Sequence, residues 1–345
     1  MNPLRVGVIG CGYWGPNLIR NFARHPDARV QAVCDKDVKR AERAGLEYRV
    51  PTVADRPEKL FGDKDLDLIV VATPTATHYT LAKAALRAGK HVLVMKPLTS
   101  SVEEAEELVD LAGRRGVRLA VDHTFVFTPA VRKLRSLVTS GELGDLYYFD
   151  SVRVNLGLFQ HDINVIWDLA PHDISILDYV VGGEPEEIGA VGVAHAGSRT
   201  ENIAYITIKY PNRFLAHVHV NWLAPAKVRQ MILGGSRKMV VYDDVQPSEK
   251  VKVYDRGVSF GGNGDDPYKF MVSYRSGDVV SPQLDGKEAL AVEVDNIVKA
   301  VQGKEPLVVD GVAGVRVVRL LEAAQRSMAQ GGAPVRLAGM AAVAV

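Results

Sequence analysis

The stretch LRVGVIGCGYWGPNLIRNFARH, residues 4–25, decides the fold. It opens as a short run of apolar β-formers and closes with apolar residues at helical spacing, so a strand gives way to a helix within a few residues. Between them Gly10, Gly12 and Gly15 form G-C-G-Y-W-G. Glycine is needed there to turn tightly, to let backbone approach a pyrophosphate, and to let helix and strand pack closely. The helix N-terminus adds free N–H groups and a dipole that favours an anion. Tyr13 and Trp14 occupy the loop and are expected beside the same ligand. A glycine loop alone is weak evidence, but RVQAVCD follows and ends in Asp35, at about the distance where a dinucleotide fold places its ribose-binding carboxylate. An aspartate there accepts from both ribose hydroxyls and repels a 2′-phosphate, which favours NAD; the neighbouring Lys36 keeps NADP possible.

Outward from this stretch the same alternation continues. LDLIVVAT, HVLVM and VRLAVD are apolar runs separated by helical patterns such as THYTLAKAALRAG and VEEAEELVDLAGRRG. Near-continuously apolar strands alternating with helices predict an α/β, Rossmann-type doubly wound parallel sheet over residues 1–122. From about residue 146 the strands follow one another with short turns, which predicts an α+β domain over 123–325 with a large open, mostly antiparallel sheet. Residues 255–283 read as an irregular surface loop, the helices around 289–302 and 311–325 as returning to brace the first domain, and 326–345 as a tail.

Composition narrows the partners. The chain has 345 residues, 42 basic against 41 acidic, for a formal net charge of +1. That near-neutrality removes the electrostatic case for nucleic acid or a membrane surface and leaves a small molecule. Cys11 and Cys34 are the two cysteines, too few for a disulfide framework or a cysteine-rich zinc site, so a reducing cytoplasm is expected and no metal. The N-terminal residues run straight into a strand, with no expected signal peptide, and the apolar runs are too short for a membrane span.

Three polar residues stand out against this frame. Lys96, in HVLVMKPLTS, lies at the carboxyl end of a strand, where open parallel sheets bind ligands. A lysine there either snorkels to the surface or holds a substrate hydroxyl and favours its alkoxide character during hydride transfer. Pro97 fixes the backbone behind it and permits a cis peptide. In IWDLAPHDISILDYVV, Asp168 and His172 are four residues apart and share a helix face. Pro171 belongs in a first helical turn, which predicts a helix starting there with Asp168 as its cap. The pair reads either as helix-terminal electrostatics or as a general base, His172, oriented by Asp168.

Taken together, the glycine loop, the run ATPTATHYTLAKAALRAGKHVLV, the Lys-Pro pair and D-x-x-x-H resemble the Gfo/Idh/MocA oxidoreductases, over about residues 4–325. The resemblance implies a sugar or cyclitol dehydrogenase with Lys96, Asp168 and His172 as catalytic residues, and a sheet used for homodimers or homotetramers. It places Thr73, Pro74, His78, Met95 and Lys96 along the cofactor. RVNLGLF, NVIWDLAPHDISILDYV and KMVVYDD look like the branch acting on nucleotide sugars, at C3 of a hexose or uronate. Arg153 and Asn155 would then contact sugar or diphosphate. His123 and His161 are further pocket candidates, with a hydrogen-bonded structural role as the alternative. One departure stands out: the family triplet is Glu-Lys-Pro, and Met95 replaces the glutamate. It leaves open a non-catalytic dinucleotide-sensing regulator beside the dehydrogenase.

Overall fold

A computed structural model describes residues 3–157, 163–261 and 271–337. The chain divides into two compact units, one built from residues up to Thr128 with Lys287–Glu322, the other from Pro129–Gly286 with the segment beginning at Ala323.

The first unit holds strands β1 (Leu4–Ile9), β2 (Ala28–Cys34), β3 (Thr52–Ala54), β4 (Leu68–Val71), β5 (His91–Met95) and β6 (Leu119–Asp122), alternating with helices α1 (Gly15–Arg24), α2 (Val38–Tyr48), α3 (Glu58–Phe61), α4 (His78–Arg87) and α5 (Val102–Arg115). The sheet is parallel in the order β3-β2-β1-β4-β5-β6. All four residues of β4 and of β6 are buried, as strands covered on both faces must be. The order reverses between β1 and β4, so their carboxyl ends border the crevice where such sheets bind ligands. Local signals agree with the helices: Ser101 caps α5 by accepting from the Glu104 N–H, and Gly116 ends it in the left-handed conformation.

The second unit contains α6 (Pro129–Thr139), β7 (Leu146–Leu156), α7 (Val165–Val180), β8 (Glu187–Val193), β9 (Ile203–Lys209), β10 (Leu215–Asn221), β11 (Leu223–Gly235), β12 (Met239–Asp243), β13 (Val251–Gly261) and β14 (Met271–Val280). Helix α8 (Ala289–Val301) belongs to the first unit, and α9 (Gly311–Ala329) is followed by β15 (Val335–Arg336). The second sheet runs β14-β13-β12-β11-β7-β10-β9-β8-β15. It is antiparallel except for the parallel β10–β7 pair. In β9, Ala204, Ile206 and Ile208 are buried while Tyr205 between them is exposed, so one face is covered and the other open.

Three expectations need correction. The expected loop at 255–283 holds parts of the paired strands β13 and β14; its Gly, Asp and Ser content concealed two strands of an antiparallel hairpin. The expected tail from 326 begins inside α9 and includes β15, which pairs with β8 at Val335↔Ile188. Helix α7 starts at Val165, with Asn164 as its cap accepting from the Trp167 N–H, so Pro171 is interior and Asp168 lies in the first turn. An interior proline costs about 3 kcal/mol. Burial of Ile166, Trp167, Ala170, Ile174 and Leu177 outweighs that, at about 1.5–3 kcal/mol for each large apolar side chain. Among the described residues, no helix is long and apolar enough to cross a membrane.

Candidate active site

In the first unit the glycine loop leaves β1 and enters α1. Gly10 has φ +100°, and a Cβ there would lie 2.2 Å from Ala72 O; a Cβ at Gly15 would lie 2.0 Å from Gly10 O. These two glycines are required by the protein's own packing. Gly12 differs: the nearest atom to its added Cβ is Arg40 Nη1 at 3.8 Å. Its surroundings are open to an approaching group, which is the cradle a pyrophosphate requires. A cavity of about 490 Å³ adjoins the loop, lined by Cys11, Gly12, Tyr13 and Pro16 with Arg40 and Arg43 from α2. Arg40 had not stood out in the sequence; it pairs with Asp37 at 3.3 Å and brings positive charge to the loop. Tyr13 is fully out in solvent at 90% exposure, edge-on to Trp14 at 6.0 Å.

Asp35, at the end of β2, is buried. Its Oδ2 accepts from the Cys11 N–H at 2.7 Å and its Oδ1 from the Asp37 N–H at 2.9 Å, so it ties the glycine loop to the β2 end, while Lys36 is exposed. After β4, the Thr73 and Thr77 hydroxyls bond at 2.7 Å, and Pro74 begins a 3-10 turn over Thr75–Thr77. His78 is buried. Its ring nitrogens face Pro97 O and Thr73 O, both at 2.8 Å, joining the Thr73 loop to the Lys96–Pro97 turn. Burial lowers its basicity, and the positive charge of Lys96 acts in the same direction against the two carbonyls.

Lys96 follows β5, is part-exposed, and its peptide bond to Pro97 is cis. Met95 before it is buried among apolar residues that include Leu290, Val294 and Ile297 of α8. Directly across the sheet, Met95 pairs with Asp122, the last residue of β6. Asp122 is 2% exposed and accepts from the Thr124 N–H at 3.0 Å and from the Thr124 hydroxyl. Glu293 of α8 is buried and interacts with it, and burial holds both carboxyls above their usual range, Glu293 well above. His123 is buried, and neither ring nitrogen makes a hydrogen bond, so the hydrogen-bonded structural role is not what the structure shows. Its pKa is pushed down to about 3, by burial first and the charge of Lys96 second.

In the second unit, α7 carries Asp168 and His172 one turn apart, both part-buried. Asp168 Oδ2 accepts from the indole N–H of Trp222 at 3.1 Å. Trp222 is 1% exposed, and its backbone N–H donates to Asn202 O while its O accepts from Gly157. Asp173, next to His172, accepts from Ser151 Oγ and from Arg153 Nε, each at 2.8 Å. Arg153 is thus 3% exposed, inside an ion pair between β7 and α7, and Asn155 is part-exposed near Gly157. His161 lies outside the described residues. Sequence reasoning missed Trp222 and Asp173. Asp173 could have been found as a charged residue on an apolar helix face; the sequence around Trp222 offers no comparable sign.

Family models match over both units: the NAD-binding Rossmann fold of an oxidoreductase family over residues 4–123, and the GFO/IDH/MocA C-terminal domain over 131–241. The chain belongs to the GFO/IDH/MocA oxidoreductase family. It is accordingly an oxidoreductase with an NAD-binding Rossmann domain. A UDP-N-acetylglucosamine 3-dehydrogenase of Acidithiobacillus ferrooxidans is 28% identical over 91% of this chain and 94% of its own. A solved structure of that enzyme superposes with a TM-score of 0.80 at 26% identity, over 95% of this chain and 99% of that one. The WlbA dehydrogenase of Bordetella pertussis, solved with NADH and UDP-GlcNAcA, shares the fold at a TM-score of 0.82 and 19% identity, over 98% and 99% of the two chains. Inositol 2-dehydrogenase 2 of Saccharopolyspora erythraea is 36% identical over 52% of this chain and 55% of its own.

Proposed function

We propose that this oxidoreductase acts on a ring secondary hydroxyl of a sugar, at C3 of a nucleotide-linked hexose or its uronate. The observation that carries the reading is the Asp168–His172 pair, one turn apart on α7, with Asp168 held by a buried tryptophan. The near full-length similarity to a UDP-N-acetylglucosamine 3-dehydrogenase supports the nucleotide sugar.

The glycine loop, open at Gly12, would hold the pyrophosphate of NAD, and the cofactor would supply the hydride acceptor for the carbinol carbon. The other half of the oxidation falls to side chains. His172 accepts the hydroxyl proton, and Asp168 stabilises the imidazolium that results; the Trp222 N–H limits how far that carboxylate can turn. Lys96, in the first unit, would serve by donating to a substrate oxygen and favouring its alkoxide character. Buried free thiols at Cys11 and Cys34 fit a cytoplasmic enzyme. The open sheet face, where Tyr205 stacks on His219 at 4.3 Å, would receive a second copy of the chain.

The test is a screen of purified protein with NAD against UDP-N-acetylglucosamine, its uronate, inositol and glucose, read by nicotinamide absorbance. Oxidation of a UDP-sugar with the product carbonyl at C3 is expected. Good turnover of inositol with every nucleotide sugar untouched would move the protein to the cyclitol branch, the outcome that the similarity to inositol 2-dehydrogenase would favour. NAD binding without turnover of any of them would favour the sensing regulator.

A further inference from the structure

The cavity beside the glycine loop carries cations that the mechanism above does not use. Arg40 and Arg43 are three residues apart on α2, so they share a helix face, and both line the cavity of about 490 Å³ that Cys11, Gly12 and Tyr13 also border. Arg40 comes closest to the loop: its Nη1 lies 3.8 Å from the point where a side chain on Gly12 would begin. On its other side, Arg40 Nε is 3.3 Å from Oδ2 of Asp37, the cap of α2. The Arg40 side chain is 58% exposed, so it neither fills the core nor needs burial to be stable. A planar guanidinium held by one carboxylate beside an open backbone presents N–H donors in the fork that phosphate accepts best.

Three carboxylates oppose an anion here. Asp37 shares Arg40, and Glu47 lines the same cavity one turn beyond Arg43. Asp35 is the third, and its charge is largely committed to the protein. It is 9% exposed, and its two oxygens accept from the Cys11 N–H at 2.7 Å and the Asp37 N–H at 2.9 Å. Backbone donors that stabilise a carboxylate also offset part of its field, so Asp35 disfavours a neighbouring phosphate without forbidding it. Lys36, directly after it, is exposed. The cations are therefore the more accessible charges at this end of β2, and the anions temper them.

We propose that Arg40, with Arg43 on the same helix face, is a specificity-determining residue of the dinucleotide site: its guanidinium receives a phosphate carried on the adenosine 2′ oxygen, and the chain takes NADP as well as NAD, with NAD the tighter. In a dinucleotide-binding sheet an arginine near the end of the second strand accommodates that phosphate, and a carboxylate there holds the free hydroxyl. This chain has both, on adjoining elements. The inference rests on the NAD-binding Rossmann domain and not on the identity of the sugar, so it can fail while the proposed sugar chemistry stands.

Calorimetry on the full chain without sugar tests this, with NAD, NADP, 5′-AMP, adenosine 2′,5′-bisphosphate and adenosine 3′,5′-bisphosphate as titrants. The parent should bind NADP with a Kd within about thirtyfold of that for NAD. Arg40→Gln, at an exposed position that the fold tolerates, should weaken NADP about tenfold or more and NAD less than about threefold. The 2′,5′-bisphosphate should follow NADP in that variant, while 5′-AMP and the 3′,5′ isomer change less than about threefold. Arg40→Gln should thus widen the preference for NAD, the opposite of Asp35→Ala. No measurable NADP binding to a parent that binds NAD overturns the proposal. So does an equal loss of NAD and NADP in Arg40→Gln, which would make Arg40 a pyrophosphate contact, and so does an equal loss of the two bisphosphates, which would leave only a general attraction for anions. A parent that binds neither dinucleotide refutes the cofactor site itself, whereas turnover of the wrong sugar touches only the proposed function.

Discussion

Replacing Arg153 with methionine keeps most of the side chain's length and removes its charge, leaving Asp173 buried beside Ser151 without its cation. Arg153 and Asp173 are 3% and 1% exposed at the side chain and 2.8 Å apart, so solvent screens the pair very little. Breaking a buried pair by removing one partner costs about 3–5 kcal/mol, because the remaining charge stays desolvated. Ser151→Ala removes a single hydrogen bond and should cost about 1–2 kcal/mol. Arg153→Met combined with Asp173→Leu should recover most of the loss, since an apolar pair of similar volume leaves no charge stranded. Urea unfolding followed by tryptophan fluorescence suits the measurement, because Trp167 and Trp222 both lie in the second unit that the pair braces. The pair connects β7 to α7 one residue from His172, so kcat of Arg153→Met should fall together with stability. A loss under about 1 kcal/mol, with a large rise in KM for the sugar nucleotide and unchanged kcat, would refute the clamp and return Arg153 to the role of a ligand contact.

Other outcomes follow from the same geometry. Lys96→Ala and His172→Ala should each reduce kcat a hundredfold or more, about 3 kcal/mol, with NAD affinity by calorimetry nearly unchanged. Gly12→Ala should weaken NAD binding while leaving the thermal midpoint close to the parent's, whereas Gly15→Ala should destabilise the fold, because its Cβ would meet Gly10 O at 2.0 Å. Asp35→Ala should erode the preference for NAD over NADP, measured as the ratio of the two Kd values, and should also loosen the loop that it holds through the Cys11 N–H. His123, with a folded pKa of about 3 against an ordinary value of 6.5, binds a proton in the unfolded chain before the folded one. Stability should therefore decline as pH falls from about 6.5 toward 3, and His123→Phe should flatten that part of a denaturation-against-pH curve.

The Rossmann half was legible because each of its signals is local. A strand, its glycine turn and the following helix occupy residues 4–25, and the constraint on Gly10 is visible as a positive φ once the chain is folded. The second sheet was legible in type and less so in extent. Its β13–β14 pair has Gly257 and Gly277 inside the strands, and composition read their surroundings as loop. Helix α7 was found but started too late, because the penalty for an interior proline was treated as decisive when Asn164 and a largely buried helix offset it. Contacts between residues far apart in sequence had no local sign at all: Trp222 to Asp168 spans 54 residues, and Arg153 to Asp173 spans 20.

The polar residues that sequence reasoning singled out sit at strand ends and on a helix face, where the fold repeats the same geometry in many proteins. The group that holds Asp168 comes from elsewhere in the chain and is buried, Trp222, and the Arg153–Asp173 pair that ties β7 to α7 next to His172 is buried as well. A catalytic histidine or lysine tolerates little displacement, since proton transfer needs heavy atoms within hydrogen-bond reach. A buried buttress is free to change provided a partner changes with it, because only the sum of space and charge is constrained. Position 95 is where this matters most in the chain. A methionine there reads from the sequence as a missing carboxylate, and thus as grounds for a switched-off active site. In the fold that methionine is buried in an apolar cluster with Leu290, Val294 and Ile297 of α8, space that a charged carboxylate would enter only at the cost of its desolvation.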